Sequence, residues 1–75
     1  MKKYRRDDKF IASVASRIKE LREERGVSQD VFYIDTDINI SRIEMGKQNI
    51  SIYTLKYICD YFNISLEDFF KGIDN

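Results

Sequence analysis

Apolar side chains recur every three or four residues along most of the chain, a rhythm broken by short polar stretches. The pattern predicts five helices and no strand. Phe10, Ile11, Val14, Ile18 and Leu21 fall within an arc of about 100° at 100° per residue, the width of a core-facing stripe. They define helix 1 over residues 10–24, with Gly26 beyond its last turn as a stop. Ser28 offers an N-cap for helix 2, near residues 28–35, which carries Val31, Phe32 and Ile34. The polar run Asp35-Thr36-Asp37 suits a turn. Helix 3 follows near residues 37–45, capped by Thr36 or Asn39 and closed by Gly46. Ser51 caps helix 4, whose Ile52, Leu55, Ile58, Cys59 and Phe62 share a face. After the break at Asn63-Ile64, Ser65 opens a short helix 5 that ends near Phe70-Lys71, before Gly72. The fold class is all-α, with residues 10–75 as one domain behind a basic arm at residues 1–9.

The 75 residues make a domain that buries only about 60% of its unfolded surface, so a shared apolar face would stabilise it. One cysteine, Cys59, cannot form an internal disulfide, and no zinc spacing occurs, as befits a reducing compartment. The first ten residues lack the apolar stretch of a signal peptide. No segment approaches the roughly 20 apolar residues of a membrane span. A cytoplasmic protein with no metal and no cofactor is therefore expected. There is also no histidine and no glycine-rich phosphate loop, which argues against an enzyme.

Formal charge sums to zero, yet it is unevenly spread. Residues 1–25 hold nine Lys/Arg and five Asp/Glu, whereas residues 26–49 and 50–75 each hold two and four. The positive end is the N-terminal one, where Lys2, Lys3, Arg5 and Arg6 form the arm. Such polarity can steer an anionic partner despite zero net charge.

The segment GVSQDVFYIDTDINISRIEMGKQN at residues 26–49 resembles the helix-turn-helix of the Cro/repressor (XRE) family. The likeness lies in a Ser-Gln opening, an Ile-Ser-Arg-Ile-Glu run and a Gly-Lys-Gln-Asn exit. It extends over about residues 10–70 and implies a five-helix, lambda-repressor-like DNA-binding domain whose third helix enters the major groove. By that resemblance Gln29 meets a phosphate at the start of helix 2, and Arg22 pairs with Glu44 to join helix 1 to helix 3. Lys47, Gln48 and Asn49 would face the sugar-phosphate backbone.

The chain departs from the family pattern by three fewer residues between Gln29 and Glu44. Laying Asp37-Ile38-Asn39 over the family's turn removes the first turn of helix 3 and keeps Ile38 where an apolar residue is buried. The alternative gives Thr36 the cap and shortens helix 2. In either alignment Ile40 and Ile43 point inward. Thr36, Asn39, Ser41 and Arg42 remain as candidate DNA contacts, Arg suiting guanine and Asn suiting adenine. Arg42 could instead touch phosphate only, or pair with Asp35 or Asp37.

Tyr53, Tyr57 and Tyr61 lie at 0°, 40° and 80° on helix 4, away from Leu55, Ile58 and Phe62 at 140–200°. With Phe69 and Phe70, one of which should cap the core while the other is free, they suggest a homodimer interface built on helices 4 and 5. Tyrosines covering their own N-terminal segment are the alternative. The Asn-Ile-Ser-Ile-Tyr-Thr-Leu run and the small size are similar to restriction-modification controller proteins. A sequence-specific regulator binding double-stranded DNA as a homodimer is expected. A protein-interaction module, antitoxin-like and paired with a toxin or other protein partner, is the other class open at this point.

Overall fold

Asp7 takes the N-cap of the first helix: its carboxylate accepts from the Phe10 N–H at 3.0 Å, and α1 runs Asp8–Glu24. The computed structural model describes residues 6–73, so the Lys2, Lys3 and Arg5 portion of the basic arm lies outside the described residues. Helix 1 begins two residues before the expected Phe10, which moves Asp8 and Lys9 out of the arm. The reason is local, since an aspartate at the cap and another in the first turn complement the helix's unpaired N–H groups.

Four further helices follow: α2 Gln29–Thr36, α3 Ile40–Glu44, α4 Ile52–Tyr61 and α5 Leu66–Lys71. Ser28, Ser51 and Ser65 each cap the next helix by accepting from an N–H three residues on, at 3.0 Å in all three. Two exits are alike. After α1, Gly26 (φ 68°) and Val27 donate back to Glu23 and Arg22. After α4, Asn63 (φ 58°) and Ile64 donate back to Asp60 and Cys59. Both are Schellman closures with a left-handed residue at the turn.

The core gathers Ile18 and Leu21 of α1, Phe32 of α2, Ile40 and Ile43 of α3, then Leu55, Ile58, Cys59, Phe62 and Phe69. No strand occurs among the described residues, and none of their helices is long and apolar enough to cross a membrane. Guanidinium groups from α1 and its exit fasten the C-terminal half. Arg17 Nε donates to the Phe69 carbonyl at 3.0 Å and Nη2 to that of Asp68 at 3.3 Å. Arg25 reaches the Phe62 carbonyl at the end of α4, through Nε at 3.2 Å and Nη2 at 2.9 Å. The Asp68 and Phe62 carbonyls are ones that a helix end leaves unpaired, while that of Phe69 also accepts from the Gly72 N–H.

Several positions differ from expectation. Helix 3 starts at Ile40 rather than near residue 37, because Asn39 takes its cap and Asp37 turns left-handed at φ 63°. Ile52 is 81% exposed despite its place on the apolar side of α4. It occupies the first helical position, and instead of entering the core it rims a surface cavity. In α2 only Phe32 is buried, while Val31 and Ile34 face solvent. Phe10 is half-exposed and stacks on Phe70, with ring centres 6.4 Å apart.

The expected aromatic interface also changes. Phe69 is fully buried and unavailable to a partner. Tyr61 is half-buried, edge-on to Phe32 at 4.8 Å, with its hydroxyl donating to Asp35 at 2.5 Å. Its 80° position brings it round toward α2, so it closes the α2–α4 seam within one chain. Tyr53, Tyr57 and Phe70 remain exposed.

Candidate nucleic-acid interface

The helix-turn-helix is assembled around one buried ion pair. Arg22 of α1 donates through Nε to Glu44 Oε2 at 2.6 Å and through Nη2 to Oε1 at 3.0 Å. Its Nη1 donates to the Val27 carbonyl at 2.8 Å. The side chains are only 10% and 4% exposed. Hydrogen bonding to Glu44 is the main force pushing the Arg22 pKa up, with burial opposing it. Gln29 Nε2 also donates to Glu44 Oε1, at 3.0 Å. One carboxylate thus ties α1, the start of α2 and the end of α3 together, in a bidentate geometry that fixes direction as well as distance.

Gln29 is therefore held in place before any ligand arrives. One amide hydrogen serves Glu44, leaving the second, with the Gln29 and Asp30 N–H groups that the Ser28 cap does not take, as donors for an anion. Thr36 is spent differently. Its hydroxyl donates to the Phe32 carbonyl at 2.7 Å and accepts from the Ile38 N–H at 3.1 Å. It closes α2 and does not cap α3, so the alignment that gave it that cap is overturned. Ile38 is partly buried in the turn.

Asn39 Oδ1 accepts from the Arg42 N–H at 3.2 Å and from the Ser41 hydroxyl at 2.7 Å. A carboxamide oxygen has two acceptor sites, and both are occupied. The bidentate adenine contact anticipated for Asn39 needs that oxygen, so the residue can offer only its NH2 while it caps α3. Ile40 and Ile43 sink into the core, which leaves Ser41, Arg42 and Met45 exposed along the other side of α3. Arg42 has no acidic partner within 4.0 Å among the described residues. Asp35, one of its suggested partners, is engaged by Tyr61.

Gly46 (φ 79°) ends α3, and the chain leaves through Lys47, Gln48 and Asn49, all exposed. Arg6 Nη2 donates to the Lys47 carbonyl, bringing the segment before α1 to this loop. A cleft of about 250 Å³ separates α2 from the start of α3, bounded by Gln29, Asp30, Tyr33, Asn39, Ile40 and Ser41. Sequence reasoning passed over Asp30 and Tyr33. The spacing of Tyr33, four residues after Gln29 on a helix, is the signal that would have placed it on the same side.

Two short helices locked by a buried carboxylate, with the second turning polar side chains outward, define a helix-turn-helix DNA-binding protein. The family model for the Cro/C1-type HTH DNA-binding domain matches residues 17–75. The chain belongs to that family, and its function is DNA binding in transcription regulation. No curated protein and no solved structure gives a match to the chain.

Proposed function

We propose that the protein is a sequence-specific transcriptional regulator that binds its operator as a homodimer. The observation that carries this reading is the posture of α3. Ile40 and Ile43 anchor it in the core while Ser41 and Arg42 stand in solvent, and Gln29, which Glu44 holds in position, borders a cleft with Ser41. Arg42 reads a guanine edge, and Gln29, Lys47, Gln48 and Asn49 supply contacts to the phosphate backbone. Thr36 contributes by shaping the turn, and Asn39 by capping α3 and offering its NH2.

The dimer face is Tyr53, Tyr57 and Phe70, joined by Ile52 and Phe10, all between 40% and 81% exposed. Phe10, Ile52 and Phe70 rim an apolar cavity of about 180 Å³. A two-fold pairing there would present two α3 helices to half-sites about 34 Å apart.

The first test is fluorescence anisotropy with the duplex lying upstream of the protein's own gene, at about 50 and 200 mM salt. Submicromolar, salt-sensitive binding that Arg42→Ala weakens supports the reading; no binding at either salt refutes it. Sedimentation velocity of Ile52→Glu and Tyr57→Glu tests the dimer, which is refuted if both variants associate like the parent. The five-residue α3 favours one other reading, a partner-binding module such as an antitoxin. That reading gains if DNA binding is absent and the Ile52 face still associates.

A further inference from the structure

Five residues of α-helix advance only about 7.5 Å, roughly two base-pair steps of duplex. The exposed side chains of α3 are few, and Asn39 spends its carbonyl oxygen within the chain. A helix this short leaves part of the reading surface to a neighbouring element. The side chain in that place is Tyr33 of α2. It is 52% exposed and shares the cleft with Ser41 and Asn39 on one wall and Gln29 on the other.

We propose that Tyr33 is a base-reading residue of the DNA interface, its ring packing on the C5-methyl group of a thymine in the major groove. This rests on the DNA-binding reading above and adds a specificity residue to it. Three observations converge. The ring stands beside Ser41 rather than in the core, so it is presented where α3 meets its ligand. Asp30 also bounds the cleft, and its acidic side chain is matched by the amino donors that a base edge presents. An aromatic face is also the right surface for a methyl group, the feature that sets thymine apart in the major groove. Asp30, at the same cleft, suits the N4 amino group of an adjacent cytosine.

The test begins with duplexes selected by the wild-type protein from a random-sequence library, in which each thymine is replaced in turn by uracil. At the position Tyr33 reads, loss of one methyl group weakens wild-type binding about fourfold. Tyr33→Ala binds the parent duplex about tenfold more weakly and shows no uracil effect at that position, because its contact is already gone. Tyr33→Phe keeps the uracil effect. A 5-iodouracil at the same position in the wild-type complex crosslinks to Tyr33 on irradiation, a readout that needs no variant to fold. The proposal is overturned if Tyr33→Ala binds as tightly as wild type, if it keeps the wild-type uracil profile, or if the crosslink maps to another residue. Selection that enriches no duplex for the wild-type protein overturns the DNA-binding reading itself, which is a different outcome.

Discussion

Glu44 is where a single substitution should be felt most. Its carboxylate accepts three hydrogen bonds, two from Arg22 and one from Gln29, at 2.6–3.0 Å and with its side chain only 4% exposed. Glu44→Ala leaves the Arg22 guanidinium buried with Nε and Nη2 unpaired, while Nη1 keeps the Val27 carbonyl. Stranding a buried charge in this way costs about 3–5 kcal/mol, against about 0–1 for an exposed pair. A 75-residue chain has only about 4–11 kcal/mol in total at the usual stability per residue. The variant should therefore lose about a quarter or more of its stability, and its melting temperature should fall by at least about 12 °C. Urea unfolding followed by helical circular dichroism measures this directly. The companion variant, Arg22→Met with Glu44→Leu, replaces the pair with apolar side chains and should recover most of the loss. A Glu44→Ala penalty below about 1 kcal/mol would refute the reasoning, since it would mean that the pair behaves as a solvated one.

Three other outcomes are expected. Tyr61 donates to Asp35, and that bond is the main cause pushing its pKa above the ordinary 10.0. The elevated value belongs to the folded state, so the stabilisation is complete below the ordinary phenol range and is lost as pH rises through the folded value. A phenolate absorbance titration should show a late-ionising component that Tyr61→Phe removes. Burial pushes the Cys59 thiol pKa up, so iodoacetamide at neutral pH should label it far more slowly in the folded protein than in urea; equal rates would contradict its place in the core. Asp37 sits at φ 63°, where a side chain costs about 1–2 kcal/mol and glycine does not. Part of that gain is lost to glycine's freer unfolded chain, so Asp37→Gly should raise stability by up to about 1 kcal/mol, read as a higher urea midpoint.

Much of the architecture was legible because it is written in local chemistry. Ser28, Ser51 and Ser65 announce helix starts by residue type alone, and Gly26 and Gly46 take the positive φ that ends a helix. The Arg22–Glu44 pair was anticipated only through a family resemblance, since no rule of spacing joins residues 22 positions apart. Periodicity misjudged Ile52 and Phe10 because an angular pattern reports which side of a helix a residue is on, and not whether anything lies opposite. It misjudged Tyr61 for the converse reason, since a residue placed at a partner-facing edge met its own chain instead, and it could not say which of Phe69 and Phe70 would enter the core. At the interface itself, the competition for Asn39 Oδ1 could not be read from the sequence, because a cap and a base contact call for the same residue type. Tyr33 escaped notice although its spacing from Gln29 was legible, because only the fold shows the cleft it shares with Asn39 and Ser41.

The clasps made by Arg17 and Arg25 have a consequence for how such a protein can diversify. Both guanidinium groups grip main-chain carbonyls at the ends of α4 and α5, and a carbonyl is present whatever side chain its residue bears. The outward positions of these two helices can then be rewritten for new partners while the attachment to α1 persists. Gly72 lies against that clasp, and a methyl group there would push the Arg17 guanidinium aside. Variation should run more freely across the outward α4 and α5 surface than at Gly72, where it loosens the Arg17 clasp.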